Sequence, residues 1–246
     1  MSLYTLLDPL VRVGYWTLSG IAGVLPGLTG GTALAISIAL LTVVVRAGLV
    51  PAALAAQRAG RAQAALAPEL ARLRRRYGRD RATLAAQTAA AYRQAGVSPF
   101  AGLRPALVQL VALSTVYRII VVPTIAGQPN AILDATVLGA PLAGHWPAVL
   151  SSAGLISAPA AAFGVLLLAL LAVAWFSARQ TARQVATAGP AGGPGQPGSG
   201  AVRRLVRLLP YGTVAFAAIA PVAVGCYLLT TTTWTLAERA VLPHLG

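Results

Sequence analysis

Residues 32–56 read TALAISIALLTVVVRAGLVPAALAA, an apolar run that is interrupted by one charged residue, Arg46. A helix of this length extends for about 37 Å, which is enough to cross a hydrocarbon core of about 30 Å. A surface helix of a water-soluble protein would carry charges along one face, and this run does not. The segment therefore predicts a transmembrane helix, and the rest of the chain is interpreted from it.

The composition of the whole chain also favours a membrane protein. The chain has 246 residues, of which 57% are hydrophobic and 10% are charged. A soluble domain carries roughly 25% charged residues, so too few polar side chains are present to cover a water-soluble globule. The single cysteine, Cys226, excludes an internal disulfide, and with two histidines it does not suggest a metal cluster. No metal and no cofactor is therefore expected.

Four further apolar stretches follow the first. The uncharged run from Leu208 to Ala237 would form a helix of about 45 Å, which is too long for one span. Pro221 lies in its middle, so we predict two short helices joined by a tight turn. The five predicted transmembrane helices cover residues 32–56, 105–123, 158–178, 206–220 and 222–239.

The arginines decide the predicted orientation. Residues 57–98 contain nine arginines and residues 179–207 contain five, whereas 124–157 has no basic residue except His145. Basic residues collect on the cytoplasmic side of a membrane protein. The sequence thus predicts an all-α integral membrane protein with five transmembrane helices, an external N-terminus and an internal C-terminus. All 19 basic residues are arginines, which suggests a high-GC bacterial genome and hence the bacterial plasma membrane.

The polar segments complete this topology. Asp8 and Arg12 interrupt the first 25 residues, so these predict an external amphipathic helix in the membrane interface, not a cleavable signal peptide. Asp80 is well placed to cap the second helix of a cytoplasmic hairpin. Arg118, near the outer end of its span, is expected to snorkel to the interface. The predicted segments are the interfacial helix 1–25, the helical hairpin 57–98, the external loop 124–157, and the cytoplasmic loop 179–205 with its Gly/Pro-rich flexible linker.

Arg46 is the sharpest functional signal in the sequence. It lies about 20 Å from the outer end of its helix and about 15 Å from the inner end, beyond the reach of snorkelling. An arginine near a helix centre costs about 2.5–3.5 kcal/mol on insertion scales, and no acidic residue lies at a similar depth in any span. The charge therefore predicts a water-filled functional groove, with a purely structural arginine as the alternative.

Other polar side chains could line the same groove. Gln109 and Ser114 lie in the second predicted span, and Thr230 and Thr231 lie in the last. Each could instead form an ordinary hydrogen bond between helices. The candidate substrate-binding residues are therefore Arg46, Gln109, Ser114, Thr230 and Thr231, with no catalytic residue among them.

Several short motifs also follow one another in a characteristic order. They are Arg46 with Pro51, Pro68-Glu69, Tyr77-Gly78, the segment GVSPFAG at 96–102, Gln109, Tyr117-Arg118, residues 227–230, and Trp234-Thr235. This ordered set resembles the YidC family of membrane protein insertases, whose relatives work in mitochondria and chloroplasts. The chain departs from the family pattern in Arg104, where the family is apolar, and in Thr232, where the family has Asn.

The resemblance implies a function as well as a fold. A member of this family would receive nascent membrane proteins in a hydrophilic groove that is open to the cytoplasm and the lipid. Arg46 would attract acidic residues of the substrate, and hydrophobic partitioning would drive insertion without nucleotide hydrolysis, so no enzyme activity is expected. The expected partners are nascent membrane proteins and the lipid bilayer, with the ribosome and the Sec translocase as candidates, and the protein is expected to act as a monomer.

Three other classes of protein remain open. A small anion transporter or channel could use Arg46 to bind its ion, but it often shows internal repeats, and none is clear here. An intramembrane protease would need a nucleophile and a base within the membrane, yet both histidines, His145 and His244, lie outside the predicted spans. A purely structural assembly factor would tolerate the loss of Arg46.

Overall fold

The computed structural model describes residues 3–25, 31–96, 98, 104–125, 127–130, 133–187 and 199–241. Within these ranges the chain is mostly helical. The helices are α1 (Leu3–Gly23), α2 (Gly31–Gly48), α3 (Val50–Tyr77), α4 (Arg81–Gln94), α5 (Arg104–Val121), α6 (Trp146–Ala153), α7 (Ala158–Thr187), α8 (Ser199–Ile219) and α9 (Val222–Val241). Most of the predicted linker at 189–200 lies outside the described residues.

The segment 124–157 departs from a purely helical architecture. It contains two antiparallel pairs of very short strands, β1 (Thr124–Ile125) with β2 (Gln128–Pro129), and β3 (Thr136–Val137) with β4 (Ala140–Pro141). Each pair forms a two-stranded sheet. β1 contacts α1 and β3 contacts α2, so this connection packs against both helices.

The apolar segment 32–56 is divided instead of forming one continuous helix. α2 ends at Gly48 and α3 begins at Val50, with Pro51 in its first turn. Proline has no backbone N–H and its ring clashes with the carbonyl four residues earlier, which here belongs to Ala47. Arg46 therefore lies in the last turn of a helix and not in the middle of one.

Two compact units make up the described chain. The first comprises Met1–Gly48, Leu110–Ser177 and Leu209–Leu245. It therefore contains α1, α2, α6 and α9 in full, together with parts of α5, α7 and α8. Here α2 packs against both α1 and α9. The largest fully buried side chains of this unit include Phe163, Leu170, Ile119, Ile120 and Val224, so its core draws on α5, α7 and α9.

The start of α9 is capped by backbone groups from the preceding connection. The N–H groups of Val222 and Ala223 donate to the carbonyls of Gly144 and Leu142, each over 3.0 Å. These donors belong to the first turn of a helix and have no partner within it. Leu142 and Ala223 are both completely buried, so this end of α9 is sealed by protein.

α7 is the helix that most plainly fits a membrane. Its residues Ala158–Arg183 are long and apolar enough to span a bilayer, and only 22% of the apolar window is buried within the protein. A core helix of a soluble protein would be mostly buried, whereas Val165 and Leu168 are 67% and 66% exposed. α2 and α3 meet the same criterion only when they are taken together as one broken span.

The second unit contains the helical hairpin of α3 and α4, which pack against each other. Asp80 begins α4 as predicted, because its carboxylate accepts hydrogen bonds from the hydroxyl of Thr83 at 2.6 Å and from its amide at 3.1 Å. These bonds stabilise the charged form and lower the pKa of Asp80 below its ordinary value of 3.8. Near the base of the hairpin, Gln63 Nε2 donates to the carbonyl of Ser98 at 2.9 Å.

We expect the cap of α4 to depend on pH in a defined direction. Because the pKa of Asp80 is lowered in the folded state, its stabilising contribution is present above the ordinary value and is lost as the pH falls through the lowered value. Amide hydrogen exchange in the first turn of α4, corrected for intrinsic rates, should accelerate in that acidic range. Asp80→Asn keeps a hydrogen-bond acceptor but not the charge, so amide exchange in the first turn of this variant should not accelerate over the same pH range. An equal acceleration in the variant would contradict the role of the Asp80 carboxylate.

Asn130 fastens the connection after α5 to the end of that helix. Its side chain is 2% exposed, and Nδ2 donates to the carbonyl of Val122 at 2.9 Å and also to the carbonyl of Ile119. The last carbonyls of a helix have no partner within it. One amide side chain thus satisfies two such groups where water has little access.

Asn130→Ala should therefore destabilise the first unit. It removes the side-chain donor from the buried carbonyl of Ile119 and the half-buried carbonyl of Val122, which typically costs about 1–3 kcal/mol in the free energy of unfolding. Thermal unfolding in detergent, followed through the reactivity of Cys226 with a thiol dye, measures the loss. Ser151→Ala is the matched control, because Ser151 is exposed and bonds only within its own helix; equal shifts in the two variants would argue against this role of Asn130.

Candidate functional site

Arg46 of α2 reaches across to α9. Its side chain is half-buried, and Nε donates to the hydroxyl oxygen of Thr231 at 2.8 Å. Nη2 donates to the same oxygen. The guanidinium also lies at the C-terminal end of α2, where the helix dipole favours a positive charge. A neutral hydroxyl is thus one acceptor of this guanidinium.

Thr231 is buried because it continues the inward-facing stripe of α9. Val224, Tyr227, Leu228 and Thr231 follow one another at helical spacing, and all four are at most 5% exposed. A hydroxyl on such a stripe needs a partner, since a buried polar group without a hydrogen bond is costly. Arg46 is a donor to that hydroxyl, so the contact also meets a requirement of the core.

The neighbouring threonines have a different role. The hydroxyl of Thr230 donates to the carbonyl of Cys226 at 2.9 Å, and that of Thr232 donates to the carbonyl of Leu228 at 2.6 Å. Both bonds lie within α9 itself. The sequence treated Thr230 and Thr231 alike, whereas the structure gives the contact with Arg46 to Thr231. Helical spacing could have distinguished the two threonines, because Thr231 continues the apolar i, i+3, i+4, i+7 pattern that begins at Val224 and Thr230 does not.

The buried hydroxyls of α2 are also satisfied within their own helix. Ser37 donates to the carbonyl of Ala33 at 2.8 Å and Thr42 donates to that of Ile38 at 2.6 Å. Both side chains are buried. These two hydroxyls therefore lie on the packed face of α2 without adding a second cross-helix bond of their own.

The remaining candidates lie on α5. Ser114 and Gln109 are both half-buried. Ser114 belongs to the first compact unit, as Arg46 and Thr231 do, whereas Gln109 falls in the second. That Ser114, Gln109 and Thr230 line one groove with Arg46 stays a prediction.

Arg118 forms an ion pair that the sequence did not predict. Its Nη2 lies 2.8 Å from Oδ1 of Asp8 on α1, and its expected snorkelling to the interface stays a prediction. The ion pair joins the last turn of α5 to α1. Sequence reasoning missed it because the two residues are far apart in the chain, and only the packing of α1 brings them together.

The guanidinium of Arg46 has a geometry that could bind an anion through hydrogen bonds. A guanidinium is always charged and presents N–H donors in a planar fork that matches a carboxylate. Within the described part of the chain, no three His, Cys, Asp or Glu side chains come together as a metal site requires. The carboxylate of Glu238, on the same helix as Thr231, accepts a hydrogen bond from Trp234 Nε1 at 2.6 Å.

Comparison with known proteins gives a family for this architecture. Residues 24–244 match the model of the family described as 60Kd inner membrane protein. The match covers almost the entire chain, including Arg46, the hairpin and α9. The chain belongs to this family. It is the family of the YidC insertases, so the resemblance seen in the ordered sequence motifs is confirmed.

A curated relative agrees with the family assignment. Over 109 residues the chain is 31% identical to a protein named membrane protein insertase YidC from Alkalihalophilus pseudofirmus. That alignment covers 42% of this chain and 41% of the relative, so the chain matches about two fifths of the relative's length. As a member of the 60Kd inner membrane protein family, the chain is a membrane protein, which its exposed apolar helices independently indicate.

The contact between Arg46 and Thr231 can be tested by an isosteric change. Thr231→Val keeps the shape of the side chain and removes the acceptor of a hydrogen bond from a charged group, a bond worth about 1.5–3 kcal/mol. We expect a lower apparent melting temperature in detergent. Thr230→Val is the matched control, because its hydroxyl bonds only within α9; a control that loses as much stability as Thr231→Val would contradict the assigned role of Thr231.

Proposed function

We propose that this protein is a membrane protein insertase that receives nascent membrane proteins at a hydrophilic groove containing Arg46 and releases them into the bilayer without nucleotide hydrolysis. The observation that carries the proposal is a half-buried arginine on an apolar helix, in a chain that belongs to the family of the YidC insertases. Family membership favours insertion over the transport of a small anion.

Arg46 would act by exchanging partners. In the structure its fork donates twice to the hydroxyl of Thr231, which is a neutral acceptor. A carboxylate of an incoming chain would form stronger, charge-assisted bonds with the same donors. The polar segment of a substrate would thus be held while its apolar segment partitions into lipid, and the return of Arg46 to Thr231 would accompany release.

The sealed start of α9 supports a groove with one closed end. Backbone carbonyls of Leu142 and Gly144 cap the first turn of α9, and the side chain of Leu142 is completely buried. Arg46 contacts Thr231, more than two turns further along the same helix. A substrate segment that reached Arg46 from the other end of α9 would meet this cap, so it would be retained and returned to the lipid instead of passing through.

We further propose a five-span topology in which α2, α5, α7, α8 and α9 cross the membrane, with the N-terminus outside and the C-terminus in the cytoplasm. Large apolar side chains on α5, α7 and α8 are strongly exposed, among them Leu110, Leu168 and Ile219 at 58–66%, as lipid contact would require. The arginine-rich hairpin of α3 and α4 would then face the cytoplasm. The ribosome and the Sec translocase are the proposed partners of the protein, which is proposed to act as a monomer.

Complementation in bacteria depleted of their own insertase tests the proposal. The readout is membrane insertion of a small protein with an acidic external segment. Wild type and Arg46→Lys should support insertion, whereas Arg46→Ala should reduce it roughly tenfold, as expected when one or two charge-assisted bonds are lost. The loss should be smaller for a substrate whose acidic residues are replaced by Asn or Gln.

The matched control is Arg239→Ala, which removes an exposed arginine from the last turn of α9 and should leave insertion unchanged. If wild type reached the membrane and still gave no insertion, the insertase proposal would be wrong. If Arg46→Ala inserted both substrates as well as wild type does, the protein would still be an insertase, but the proposed role of Arg46 would be wrong.

A further inference from the structure

A cavity separate from Arg46 lies between α1 and the end of α5. Its volume is about 780 Å³, within the range of about 300–1,000 Å³ that is typical of ligand sites. All of its lining residues belong to the first compact unit. The charged members are Asp8, Arg12 and Arg118, and the apolar members include Val11, Val13, Val122 and Ile125.

Packing between α1 and α5 fixes the position of this cavity. Gly14 of α1 lies so close to α5 that a Cβ at this position would be 2.9 Å from Cδ1 of Ile119. The hydroxyl of Tyr15 donates to the carbonyl of Pro129 at 3.4 Å, which ties α1 to the β1–β2 hairpin as well. Asp8 and Arg12 therefore lie on a helix that is packed against the rest of the first unit.

The charges on the cavity wall sum to one positive charge. Arg118 and Asp8 form an ion pair, with 22% and 52% of their side chains exposed, and Arg12 adds a second guanidinium on the exposed side of α1. A phosphodiester carries one negative charge and suits the donor geometry of a guanidinium. Its negative charge would balance the excess positive charge of the wall.

The surroundings indicate that the phosphodiester belongs to a lipid. Leu10, Val13 and Trp16 of α1 are 47%, 66% and 51% exposed, and they flank Arg12 in the sequence. Exposed apolar and tryptophan side chains beside a basic residue are typical of a helix in the membrane interface. Arg118 lies in the last turn of the apolar helix α5, where a spanning helix would meet the headgroups.

We propose that this cavity binds the headgroup of an anionic glycerophospholipid. The phosphodiester contacts Arg12 and Arg118, and the acyl chains leave along the exposed apolar side chains of α1. The bound lipid extends the Asp8–Arg118 ion pair into a cluster of four charged groups and fixes α1 on α5. This role does not depend on insertase activity or on Arg46.

The test uses the purified full-length protein in detergent and counts bound phosphatidylglycerol by native mass spectrometry during a lipid titration. Arg12→Gln should weaken the tightest lipid-binding event roughly tenfold, as expected for the loss of a charge-assisted contact. Asp8→Asn should strengthen it, because the change removes a negative charge beside the phosphate. Arg239→Gln, which removes an exposed arginine outside the cavity, should not change it.

The other outcomes overturn the proposal. Equal binding to wild type and Arg12→Gln would show that the lipid is held elsewhere. If phosphatidylethanolamine bound as tightly and Asp8→Asn weakened that binding, the site would select an amine headgroup. If glycerol phosphate competed as well as intact phosphatidylglycerol, the cavity would take a soluble phosphate ester and not a lipid.

Discussion

The packing of α2 on α9 depends on how one guanidinium is accommodated among apolar side chains. A charge placed on such a helix requires hydrogen-bond acceptors, because desolvation without them is costly. One such acceptor is the hydroxyl of Thr231, which itself lies on the buried stripe of α9. The two helices are thereby held in one register, since a shift of either by one residue would move the donor or the acceptor away.

The same requirement explains how the connections between helices are built. In an apolar environment each backbone N–H and C=O group must find a partner inside the protein. Asn130 supplies donors to the end of α5, and the carbonyls of Leu142 and Gly144 supply acceptors to the start of α9. The short strands in this region fold the chain so that these groups reach the helix ends. The connections therefore complete the helices instead of merely joining them.

Features that depend on local sequence could be predicted well. The helix break at Pro221 and the cap at Asp80 each follow from neighbouring residues. Contacts that depend on tertiary packing could not be predicted in the same way. The pair of Asp8 with Arg118 joins residues more than a hundred positions apart, and no periodicity in either segment indicates it.

In the candidate site, too, some features could be predicted from local sequence and others depend on packing. The sequence identified Arg46 and a run of threonines, but it did not distinguish the threonine that faces α2. Helical periodicity around Tyr227 and Leu228 carried that information, because Thr231 continues the buried stripe and Thr230 does not. The break after Gly48 was hidden for another reason: Gly48 and Pro51 lie within a run whose hydropathy alone predicts one continuous helix.

In the proposed mechanism, a neutral acceptor such as Thr231 suits an arginine that has to exchange partners. A carboxylate in the position of Thr231 would form a buried ion pair, and removing one partner of such a pair costs about 3–5 kcal/mol. A hydrogen bond from a charged donor to a hydroxyl contributes about 1.5–3 kcal/mol, so an incoming carboxylate can displace it. In this proposal the hydroxyl of Thr231 accepts again from Arg46 after release. A contact of that strength would be weak enough to be exchanged and strong enough to keep the guanidinium positioned between substrates.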